Sequence, residues 1–107
     1  MSEERTRFIQ DLAGEAVPPA RGILSLTPYD GEDVRLVMFG FAPGEELSEH
    51  TAAKPAIVHV LSGEGSAVVD GLDHRLAPGT WFHMPAGTAH SIRAETPLTM
   101  ALYLLPG

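Results

Sequence analysis

The tightest constraint on this chain is the dipeptide Asp70-Gly71, set between SAVV and LDHRL. A two-residue hairpin turn needs positive φ at its centre, and glycine adopts that conformation without the clash a Cβ brings. The spacing therefore predicts an antiparallel hairpin over residues 65–77. Similar punctuation recurs: Pro43-Gly44, Pro78-Gly79 and Pro85-Ala86-Gly87 separate short runs rich in β-branched and aromatic residues. These runs are RGILSLTPY, DVRLVMFGFA, AIVHVLSG, GSAVVDGLDHRLA, TWFHMPAG, HSIRA and LTMALYLL. Many short strands without a long amphipathic helix imply an all-β sandwich or barrel rather than a βαβ fold. Ahead of them, residues 3–13 (EERTRFIQDLA) are expected to form one or two helical turns. Phe8, Ile9 and Leu12 would share one side, and Gly14 and the Pro18-Pro19 pair would end the helix. The expected division is an N-terminal arm over 1–21 and one β domain over 22–107.

Composition narrows the function classes. At 107 residues with 44% apolar content the chain can build one ordinary core. It contains no cysteine, so disulfides and thiolate metal sites are excluded, and any metal must use histidine, carboxylate or main-chain oxygen. The formal net charge is −7, and the seven Lys and Arg are scattered, which leaves no electrostatic footprint for nucleic acid. The opening MSEERTRF lacks a signal-peptide core, and no stretch reaches the roughly 18 apolar residues of a membrane span. A soluble, cytoplasmic protein with no membrane partner is expected.

From Gly44 onward the residues fall into two histidine-bearing patterns. Gly44, His50 and Gly63 hold the spacing of the first, which reads G, five residues, H-x-H, three or four residues, E, six residues, G. Its second histidine is replaced by Ala52 and its glutamate by Ala56. Gly79, Pro85, Gly87 and His90 match the second pattern, G, five residues, P-x-G, two residues, H, three residues, N, with Ala94 at the last position. In this order the chain resembles the cupin family, in the manner of small single-domain cupins with a degenerate first metal motif. The resemblance covers roughly residues 22–105 and implies a jelly-roll β-barrel.

In metal-bearing cupins these motifs supply a cage inside the barrel. The resemblance implies that His50 and His90 remain of that cage here, while the other ligands have become Ala52 and Ala56. Zinc catalytic sites commonly use three protein ligands, and non-haem iron uses two histidines and a carboxylate. Two imidazoles alone are a poor first coordination sphere. If Ala56 faces inward, alternation puts Val58 and Val60 inward too, and Ile57, His59 and Leu61 on the opposite face. By family analogy Phe82 and Met84 point inward and Trp81 and His83 outward. Ile57, His59, Leu61, Trp81 and His83 would then share an outer face fit for a homodimer interface. His74 reads as a solvated strand residue. Glu45, Glu46 and Glu49 read as a charged loop before His50, with Glu49 as the alternative orienting partner of that imidazole.

Two functions follow. The first is a cupin that binds a small, partly apolar organic molecule. Its substrate pocket would comprise His50, Ala52, Ala56, Val58, Val60, Phe82, Met84 and His90, with the two histidines orienting a carboxylate or hydroxyl. The second is a metal-dependent enzyme of the dioxygenase or isomerase type, with His50 and His90 holding Zn, Fe, Mn or Ni. No catalytic acid, base or nucleophile stands out, since Ser48, Ser62 and Ser66 lie near turns without evident partners.

Overall fold

A computed structural model describes residues 6–107, and the all-β expectation holds, with nine strands from Ile23 onward. The strands are β1 (Ile23–Asp30), β2 (Arg35–Phe41), β3 (Glu46–Thr51), β4 (Ala56–Ser62) and β5 (Gly65–Val69), followed by β6 (Leu72–Leu76), β7 (Trp81–Met84), β8 (Ala89–Ala94) and β9 (Leu98–Leu104). They form a five-stranded sheet in the order β1-β2-β9-β4-β7 and a four-stranded sheet in the order β3-β8-β5-β6. Their pairings are antiparallel, and the sheets close over one core as a jelly roll.

The predicted hairpin is present. Asp70 has φ of 53° and Gly71 of 82°, so both central residues lie in the left-handed region, and Val69 pairs directly with Leu72. Alternation in β4 decides which side chains meet the core. Ala56, Val58 and Val60 are buried, whereas Ile57, His59 and Leu61 are half-buried on the opposite face. From β2 and β9, Phe41, Leu98 and Met100 join them, and Ala67, Leu76 and Ile92 close the core from the other sheet.

The outer face of the five-stranded sheet carries a second apolar cluster. Leu36, Met38 and Ala101 are buried there by Ala16, with Ile9, Leu12 and Leu61 packed against them. Thr99 donates a buried hydrogen bond from Oγ1 to the Ala16 carbonyl at 3.1 Å, which ties the arm to β9. The chain's own arm thus covers part of the outer face that sequence alone leaves open.

Two expectations change. The helical turn of the arm is a 3-10 helix over Ala13–Ala16, beginning where the sequence pattern was expected to end. The Asp11 carboxylate accepts the Gly14 N–H at 3.2 Å and so starts the turn beyond residue 11. Phe8 is exposed rather than aligned with Ile9 and Leu12, and residues 3–5 of the expected helix lie outside the described residues. The charged loop before His50 is in fact strand β3, hidden from pattern reading because five of its six residues are exposed.

Gly63 shows how tightly the β4–β5 connection is held. Its φ is +87°, and a Cβ there would collide with the Pro97 carbonyl oxygen and lie 2.6 Å from the Leu98 Cα. At Gly71 the same conformation meets open space. Gly71→Ala should cost about 1 kcal/mol from the unfavourable φ alone, and Gly63→Ala more than about 3 kcal/mol because backbone must also move. Urea midpoints compare the two; equal losses would refute the close approach at Gly63.

Candidate functional site

Strand β8 alternates strictly, so His90, Ile92 and Ala94 point into the barrel, all buried, with Ser91 and Arg93 facing away. Strand β3 pairs with β8 but does not keep step. Leu47 is opposite Ile92 and His50 opposite His90, so three steps on β3 match two on β8. That extra residue is a β-bulge at Ser48-Glu49. Without it His50 would fall on the outer face; with it, Leu47 and His50 both turn inward.

The two imidazoles end up as direct cross-strand neighbours with ring centroids 4.2 Å apart and planes inclined by 56°. His90 is buried, whereas His50 stands exposed at the open end of the barrel. Each ring is held the same way. The His50 Nδ1 lies 3.0 Å from the Ser48 carbonyl oxygen, and the His90 Nδ1 lies 2.9 Å from that of Thr88. A carbonyl oxygen only accepts, so each Nδ1 carries the proton, and in the neutral ring each Nε2 presents a lone pair. The orienting partner of His50 is thus a main-chain carbonyl two residues back rather than Glu49, a contact that side-chain spacing does not reveal.

The neighbouring positions supply no further donor. Ala52 lies just beyond β3, where its carbonyl accepts the Gly87 N–H at 2.8 Å and ties the two motif-bearing turns together. Ala56 is buried on β4 opposite Met84 on one side and Leu104 on the other. Among the described residues no group of three or more His, Asp or Glu is placed to hold a metal ion. The donor set is two imidazole Nε2 atoms, which does not match a three-ligand zinc or two-histidine, one-carboxylate iron centre.

The other predicted positions are placed as follows. Phe82 and Met84 share the inward face of β7 with Ala56 and Val58 across the ladder. Ala56, Val58, Val60 and Met84 are buried in the packed core, while Phe82 is half-buried and Ala52 intermediate. His59 and His83 are on the outer face with Ile57 and Trp81. His74 is exposed as expected, yet it pairs with buried Ala67 and so takes the inner side of β6. Sequence reasoning missed two cations. Arg35 and Lys54 line a cleft of about 180 Å³ together with Asp30, Glu32 and Leu104, at the end of the barrel where β3 ends and β4 begins. Their scatter along the sequence gave no sign of that convergence.

The fold and the paired histidines define a small cupin barrel, and the comparisons agree. The family model described as cupin domain matches residues 37–105, and the chain belongs to that family. Among solved structures, a conserved protein of unknown function from Streptococcus pyogenes superposes with a TM-score of 0.83 at 26% identity, covering 99% of this chain and 93% of the other. A cupin superfamily protein from Desulfitobacterium hafniense gives a TM-score of 0.83 at 24% identity, with 97% and 94% covered. Salicylate 1,2-dioxygenase from Pseudoaminobacter salicylatoxidans, solved as adducts with gentisate, gives a TM-score of 0.73 at 20% identity, over 78% of this chain and 25% of that one. No curated protein matches the chain.

If Ala52 and Ala56 stand where ligands once did, Ala52→His/Ala56→Glu should rebuild a metal cage. The buried, unpaired carboxylate should lower the melting temperature of the metal-free variant. Added Zn²⁺ or Mn²⁺ at about a hundred times its dissociation constant should then restore about 2.7 kcal/mol, roughly 10 °C for a domain of this size. A variant that responds to metal no more than the parent does would show that these positions do not converge.

Proposed function

We propose that the chain binds a small, partly apolar organic molecule carrying a carboxylate or hydroxyl at the open end of the barrel. The observation that carries this reading is the His50–His90 pair: two imidazoles 4.2 Å apart, each fixed through Nδ1 and each with Nε2 left for a ligand. Neutral, the pair accepts hydrogen bonds from a hydroxyl; protonated, it donates to a carboxylate. The replacement of two ligand positions by methyl groups favours apolar contact beside those polar atoms, from a lining of Ala52, Ala56, Phe82 and Met84 with Val58 and Val60 packed in the core.

A molecule that binds only the native state must raise its melting temperature. A thermal-shift screen of small hydroxy and carboxylic acids should find compounds that stabilise the parent by several degrees and His90→Gln by none. A screen without hits, or hits that survive both His50→Gln and His90→Gln, would remove the reading. The same two Nε2 atoms support a second reading, a metal-dependent enzyme of dioxygenase or isomerase type in which solvent or substrate completes the coordination of Zn, Fe, Mn or Ni. Metal analysis of untagged protein separates the two: a content near one per chain that falls in His90→Gln favours the enzyme.

A further inference from the structure

A second cavity adjoins the histidine pair without including it: Val69 of its lining pairs with His90 across the β5–β8 ladder, and neither His50 nor His90 lines it. Strands β6 and β7 are consecutive in the chain but belong to different sheets, and each is an outer strand of its sheet. The link Ala77–Thr80 crosses between the sheets, fixed by the Thr80 N–H to the Ala77 carbonyl at 3.0 Å and by Thr80 Oγ1 accepting the Ala77 N–H at 3.0 Å. From that link the two strands diverge, leaving a groove of about 320 Å³ lined by Val69, His74, Arg75, Thr80, Trp81, Phe82 and His83.

We infer that this groove is a second ligand site, for a small planar aromatic carboxylate. Its volume is at the lower end of the range of small-molecule pockets. Trp81, 59% exposed, and half-buried Phe82 supply flat apolar surface from the two faces of one edge strand. The imidazoles of His74 and His83 come from opposite strands and make no hydrogen bond or ion pair with described residues, so they are available to the carboxylate. The Arg75 guanidinium is already engaged, by Glu95 at 2.9 Å and Glu64 at 3.4 Å, and contributes only its stem. Among the described residues no acidic side chain lines the groove, although the chain carries fourteen Asp and Glu. Glu64 and Glu95 are turned to the Arg75 guanidinium, which leaves the imidazole N–H groups as the donors a carboxylate would meet.

Trp81 is the sole tryptophan of the chain, which makes its fluorescence a reporter of this groove. Titration with benzoate, excited at the red edge of the indole band, should give saturable quenching with half-effect at roughly millimolar concentration, as small fragments give. Benzyl alcohol should bind at least about tenfold more weakly, since a neutral hydroxyl is a weaker acceptor than a carboxylate for the imidazole N–H groups. His74→Gln/His83→Gln should weaken benzoate by a similar factor. His50→Gln should leave the titration unchanged, since His50 stands two strands from Val69, and this separates the groove from the site at the barrel mouth. Amide chemical-shift changes at Val69 and Thr80 provide a readout that does not depend on the indole. Equal quenching by acid and alcohol, or quenching unaffected by the double variant, would overturn the inference. So would the homodimer expected from the sequence, if sedimentation shows it and Trp81 emission becomes blue-shifted with protein concentration and blind to benzoate.

Discussion

Everything at the barrel mouth depends on one irregularity in one ladder. Strand β3 is an edge strand whose only partner among the described residues is β8, and a single extra residue at Ser48-Glu49 sets the phase between them. A strand has a side-chain period of two, so a slip of one residue exchanges its faces. The bulge performs that exchange within the strand: Leu47 seals the core against Ile92, and His50 still turns inward beside His90. Hydrophobic contact at Leu47 and polar placement at His50 would otherwise exclude each other on neighbouring inward positions of so short a strand.

Around that pair the barrel has the shape of its family and an altered chemistry. The family's first motif would place two more donors at positions 52 and 56, and both are methyl groups here, one at the rim and one buried. Imidazoles without a carboxylate between them are better suited to meeting an organic molecule than to enclosing a cation. Shape similarity to proteins as different as a protein of unknown function and a salicylate dioxygenase fits this division. The container is shared, and the side chains at its mouth decide what it does.

How much of this could be read in the sequence follows from what each element uses to hold itself in place. Asp70-Gly71 announces its hairpin because only a few residues tolerate positive φ, and the Pro-Gly turns mark the other boundaries for the same reason. The alternation of β4 and β7 was legible because one face of each is buried. Strand β3 was not, since ELSEHT buries almost nothing and its place is set by hydrogen bonds to β8. The bulge has no composition of its own. The carbonyls of Ser48 and Thr88 that hold the imidazoles belong to every residue alike, so no pattern of side chains points to them. The arm's docking against Leu36 and Met38 was hidden because Ile9, Leu12 and Ala16 are too few to form a period.

Those two carbonyls have a further consequence. An unrestrained imidazole samples several ring orientations, and binding would have to select one in each ring, an entropic cost of roughly 0.5–1.5 kcal/mol per immobilised side chain. Here folding has already set both rings against main chain, one at the bulge of β3 and the other just before β8. On the proposed reading a rigid visitor would meet a rigid receptor, and discrimination at the mouth would rest on shape and on hydrogen-bond direction. Floppy molecules offering the same groups would be left to bear the whole ordering penalty themselves.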